Sequence, residues 1–182
     1  MSLRRQRITR TARSLMPLLM REPTTKDFAE YFRLALEASL CRENEVESWA
    51  DKMIAETSAP IPGWLLNLST ESQASKSTLL QEVPGEADLI TTWSLLPARF
   101  GGANRAKQFS PEQIVKVLFR WAASGEMPKP FISKACQLDA GFDGMEAGWY
   151  SEVQFTKDFE DFFRQFRSFE PYIPQSAFQV LR

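Results

Sequence analysis

Residues 110–125, SPEQIVKVLFRWAASG, read as one helix from cap to cap. Ser110 is an N-cap residue, Pro111 takes the first helical position, where its missing N–H is no loss, and Glu112 follows at the positive end of the helix dipole. Ile114, Val117, Leu118, Trp121 and Ala122 then recur at offsets 0, 3, 4, 7 and 8, a single apolar face, and Gly125 is placed to end the helix. A helix of this kind is stable only when its apolar face is covered. The rest of the chain must supply the cover.

The same grammar extends in both directions. Thr24 with Asp27 three residues on predicts a cap, and Phe28, Tyr31, Phe32, Ala35 and Leu36 predict a helix over about residues 25–42. Asn44 with Glu47 repeats the cap, and Val46, Trp49, Ala50, Met53 and Ile54 repeat the stripe, so the two helices form an αα-hairpin. Pro60 and Pro62 break the chain before a short helix at Trp64, Leu65 and Leu68. The polar run 69–77 reads as a loop or a frayed helix start ahead of Leu79 and Leu80, and Pro84-Gly85 as a turn. Leu89, Ile90, Trp93 and Leu96 predict a helix stopping at Pro97, with residues 101–104, GGAN, as a flexible connection. Pro128 and Pro130 open a shorter element to about Leu138, ended by a glycine-containing loop over 141–148. The last helix spans about 156–169, with Phe159, Phe162, Phe163 and Phe166 on one face. No stretch alternates with period two, so the expected fold is all-α: an irregular bundle of about six to eight helices over residues 22–182, one domain, preceded by a segment 1–21.

That first segment carries the main charge asymmetry. It holds six arginines, Arg4, Arg5, Arg7, Arg10, Arg13 and Arg21, and no acid, whereas the remainder has sixteen basic against twenty-three acidic residues. Its leucines and Met16 suit a short docked helix, its arginines suit a free arm, and the composition is also that of a transit segment. Cys41 and Cys136 are far apart and lack CxxC spacing, which reads as two reduced thiols in a cytoplasmic protein. Charges or prolines interrupt every apolar run, so no integral membrane association is expected.

The chain contains no histidine. Ser-His-Asp and Cys-His catalysis, imidazole proton transfer and histidine metal ligation are therefore excluded within it. Acid/base chemistry would fall to carboxylates, lysines, tyrosines or thiols. Glu43, Glu45 and Glu47 straddle a helix start, where acids oppose the dipole, and that accounts for them without catalysis. Residues 139–150 place Asp139, Asp143 and Gly144 at positions one, five and six of a calcium loop, but Gly141 stands at three and Tyr150 at twelve, where a bidentate glutamate belongs. A solvated loop is the expected form. No glycine-rich phosphate motif is present, and neither a metal nor a cofactor is expected.

Residues 49–54, WADKMI, then 64–69, WLLNLS, after a proline break, and 82–86, EVPGE, resemble small helical bacterial proteins of unknown function, some of which are similar to immunity proteins carried beside secreted toxins. The resemblance implies a non-enzymatic protein that occludes a partner's active site, its acidic surface complementing a basic nuclease. Asp139, Asp143, Glu146, Trp149 and Tyr150 are then the expected partner-binding patch, since Trp and Tyr anchor interfaces and glycine keeps that loop accessible. The leading expectation is a protein-interaction module, immunity or adaptor in type. One alternative is a nucleic-acid-associated protein whose Arg4, Arg5, Arg7, Arg10 and Arg13 contact phosphates; another is a carboxylate-dependent enzyme.

Overall fold

The computed structural model describes residues 21–70, 75–105 and 107–174. Among them are eight α-helices and one 3₁₀ turn, with no strand: α1 Thr25–Glu37, α2 Glu43–Glu56, α3 Gly63–Ser69, α4 Lys76–Gln81, α5 Leu89–Arg105, α6 Pro111–Ser124, α7 Lys129–Glu146, α8 Glu152–Arg164 and the turn Arg167–Tyr172. The fold is thus an all-α multi-helix bundle. No described helix is long and apolar enough to cross a membrane.

Caps read from sequence form where the side-chain chemistry is local. Thr24 and Asp27 make a capping box at α1, and Ser110 and Gln113 make one at α6, with Gly125 left-handed at φ 78° beyond its end. Two boundaries shift. Helix α1 stops at Glu37 because Ser39 turns left-handed, φ 58°, its N–H bonding Leu36 O at 2.9 Å while Leu40 N–H reaches Ala35 O at 2.7 Å. The cap of α2 is Arg42, two residues before Asn44, with its N–H held by the Glu45 carboxylate at 3.1 Å.

Larger departures concern α5, α7 and α8. Pro97 does not stop a helix; it lies inside α5, which continues through Gly101, Gly102, Ala103 and Asn104. A proline there forfeits a hydrogen bond and crowds the preceding turn at about 3 kcal/mol. Every residue from Thr91 to Ala103 is buried, and that burial outweighs the penalty. Gly101 is consumed by packing rather than flexibility, since an added Cβ would lie 3.3 Å from Phe163 Cβ. Helix α7 likewise runs past Leu138 to Glu146, so Asp139 to Glu146 is helix and not a solvated loop. Gly141 and Gly144 are buried in it against the aromatic rings of Tyr150, Phe155 and Trp149. Helix α8 starts at Glu152, capped by Ser151, and gives way to the 3₁₀ turn after Arg164.

Helix α5 packs on α1 and α8, α1 on α4, and α6 on α7. Three buried polar links bind the elements. Arg99 of α5 donates through Nη1 to Tyr31 Oη (3.1 Å) and Glu45 Oε2 (2.9 Å), and through Nη2 to Glu45 Oε1 (3.0 Å), joining α5 to α1 and α2. Asp27, fully buried, accepts from Thr24 N–H and from Asp88 N–H, each at 2.7 Å, and pairs with Arg21 at 2.8 Å. Lys76, 3% exposed, donates to the Leu68 and Thr70 carbonyls at the end of α3 and pairs with Glu47 at 3.1 Å.

Candidate partner-binding surface

The end of α7 is built to reverse the chain. Gly148 is left-handed, φ 79°, its N–H bonds Met145 O at 3.1 Å, and Trp149 and Tyr150 N–H both reach Gly144 O at 3.0 Å. This is a Schellman ending, in which a residue without Cβ escapes the left-handed penalty. The reversal lays the Trp149 indole on Gly144, where an added Cβ would lie 2.7 Å from ring atoms. Any larger residue at 144 must displace the ring.

The two aromatic side chains then diverge. Tyr150 is half-buried, its hydroxyl donating to Asp158 Oδ2, while Gln154 Nε2 holds Asp158 Oδ1 at 2.8 Å. Trp149 stands edge-on to Tyr150, ring centroids 6.2 Å apart, and stays 69% exposed. Val153, the second residue of α8, is 81% exposed. An indole fixed by backbone geometry yet open to solvent has its ordering cost already met before any partner arrives.

Asp139, Asp143 and Glu146 follow at offsets 0, 4 and 7, one face of α7. Asp143 and Glu146 are exposed and Asp139 is half-buried. Burial raises the Asp139 carboxyl above its ordinary value, and the neighbouring Asp143 charge adds to that. Lys116 of α6 is raised chiefly by its hydrogen bond to Glu112, and Glu146 and Asp143 add smaller contributions. Among the described residues none of the three acids makes an ion pair, and no group of acids and thiols is arranged to hold a metal. The five predicted residues therefore meet at one corner, but on a helix and its C-terminal reversal. Of the glycines in the expected loop over 141–148, Gly148 makes the reversal, whereas Gly141 and Gly144 are packing glycines.

Other expected sites fare differently. Arg4, Arg5, Arg7, Arg10 and Arg13 lie outside the described residues. Arg21, the last arginine of that segment, is tied to Asp27. Of the acids at the start of α2, Glu45 grips Arg99 and Glu47 pairs with Lys76, so both are committed to holding helices together. Cys41 is buried and Cys136 exposed, both as free thiols.

Sequence reasoning missed one concavity. Between α1, α2 and the 3₁₀ turn lies a groove of about 580 Å3, lined by Phe28, Trp49, Met53, Tyr172 and Ile173. Phe28, Trp49 and Met53 belong to the apolar stripes that predict the hairpin's core, and nothing in the sequence pattern indicates that the 3₁₀ turn packs beside them.

No family model, curated protein or solved structure matches this chain.

Proposed function

We propose that the chain is a non-enzymatic protein-interaction module, of the immunity or adaptor kind and acting in the cytoplasm, that docks a partner protein through the α7–α8 corner. The observation that carries this reading is Trp149, 69% exposed and seated on Gly144. Burying the remaining surface of such a ring is worth roughly 4 kcal/mol gross, enough to make it the anchor of an interface. The exposed Asp143 and Glu146 flank it as a polar rim, where charges set orientation and association rate more than affinity.

A photo-crosslinking amino acid placed at position 153, the exposed second residue of α8, leaves the Trp149 anchor intact and, in the cell of origin, tests the proposal. The expected result is one dominant crosslinked protein that is not captured from position 126, on the loop between α6 and α7. Equal or absent capture at the two positions would contradict the docking site.

A further inference from the structure

The groove between α1, α2 and the 3₁₀ turn leaves core-type side chains partly open. Phe28 of α1 and Trp49 and Met53 of α2 sit on the apolar stripes of their helices, yet each is only half-buried, and Tyr172 is 39% exposed. The Phe28 and Trp49 rings meet at 6.4 Å between centroids, so the two helices present one aromatic surface there. A volume of about 580 Å3 is room for several side chains. Covering such a surface with apolar groups is favourable, because water gains little from contact with it.

The described chain reaches its last residue at this groove. Phe169 and Ile173 are buried and Ile173 N–H bonds Glu170 O at 3.0 Å, which pins the 3₁₀ turn to the bundle. Ile173 is extended, φ −76° and ψ 130°, as a residue before proline prefers, and Pro174 itself lines the groove. Residues 175–182 follow as QSAFQVLR, in which Ala177, Phe178, Val180 and Leu181 are apolar and Arg182 is the one charged side chain. Phe178 is four residues beyond Pro174, so at most about 14 Å of extended chain separates them. A tether that short holds the segment at a high effective concentration beside the groove, and modest apolar contact then suffices to seat it.

Residues 1–20 fit the groove less well, although Pro23 lines it. Arg21 pairs with Asp27 at 2.8 Å, and Asp27 also accepts from Asp88 N–H just before α5, outside the groove lining. That ion pair draws the N-terminal end toward α5. The charged groups lining the groove, Lys52 and Glu56, form an i,i+4 pair at 3.8 Å and cancel, so the groove offers no net charge to the five arginines of residues 1–20. A nearly uncharged, apolar segment is the better complement. We infer that residues 175–182 fold back along this groove and seat Phe178 against Phe28, Trp49 and Met53, closing the core on that side.

A photo-crosslinking amino acid at position 48, an exposed groove residue, tests this in the purified full chain, with the crosslinked positions mapped by mass spectrometry. The expected product is an intramolecular crosslink centred on Phe178, within residues 177–181. Crosslinks to residues 1–20, covalent dimers, capture spread evenly over 175–182, or none at all would each overturn the inference. Phe178→Asp should remove the crosslink and shift the Met53 methyl signal by NMR, leaving that of Met127, 4% exposed before α7, in place. Phe178→Leu, which keeps an apolar side chain, should retain the crosslink and guards against misfolding of the charged variant. A crosslink that survives Phe178→Asp would equally overturn the inference. The outcome is independent of the α7–α8 corner.

Discussion

Arg99 carries the largest single electrostatic responsibility in the core. The residue is 3% exposed, and its guanidinium holds both oxygens of Glu45 together with the Tyr31 hydroxyl. Truncation to alanine would strand a nearly buried carboxylate, so Arg99→Ala is expected to cost about 3–5 kcal/mol in urea denaturation, whereas Arg99→Met with Glu45→Leu should cost far less. The same neighbourhood makes stability depend on alkaline pH. Burial pushes the Tyr31 hydroxyl from 10.0 up to about 12, against the opposing charge of Arg99, and burial pushes the Cys41 thiol from 9.0 up to about 12. Between those values the unfolded chain has released protons that the folded chain keeps. Stability is therefore fully present below pH 9 and falls as pH rises toward 12, by up to about 1.4 kcal/mol per pH unit for each group. Denaturation midpoints across that range should show the decline, and Cys41→Ala should remove the part that begins near 9.0. Gly144→Ala is a sharper residue-level test of the corner. Helix propensity favours alanine by about 1 kcal/mol, but the new Cβ collides with Trp149. The expected outcome is little change in melting temperature together with a shift in Trp149 fluorescence as the ring is displaced.

At the scale of elements, the readable features were those whose cause is local. The caps at Thr24 and Ser110 and the left-handed Gly125 depend on groups three or four residues apart, and all three form where their residues predict, the Ser110 cap gaining Gln113 as its reciprocal partner. Pro97, Gly101, Gly141 and Gly144 were misread because local turn chemistry was the only cause visible. Their actual setting depends on distant partners: Phe163 against Gly101, Tyr150 and Phe155 against Gly141, Trp149 against Gly144. Glycine in a helix serves as readily for close approach as for termination, and periodicity alone does not separate the two. The α1–α2 junction offers a test of local strain. Ser39 is left-handed and exposed, in a place where glycine avoids a penalty of about 1–2 kcal/mol. Ser39→Gly should raise stability by about 1 kcal/mol; a loss of stability would show that the Ser39 side chain contributes a contact that outweighs the strain.

For the whole molecule, α5 is the axis on which the chain is assembled. It meets α1 and α8 and is buried from Thr91 to Ala103. Its amides should be among the slowest to exchange with deuterium, opening only with global unfolding, while those of the short α3 and α4 exchange earlier through local opening. Early exchange along α5 would contradict this hierarchy. Asp139, Asp143, Glu146, Trp149 and Tyr150 lie together because they are close in sequence, though the loop expected to carry them is a helix and its end. The groove beside α1 and α2 could not be read, since Phe28 and Tyr172 are 144 positions apart in sequence and meet only through the fold. Among the described residues Trp149 is the most exposed aromatic side chain, and the proposed docking rests on it. The most direct measurement is the affinity of the Trp149→Ala variant for the protein captured at position 153. A loss of at least thirtyfold, about 2 kcal/mol, with unchanged melting temperature is the predicted result. Wild-type affinity in that variant would contradict the claim that this corner is where the protein binds.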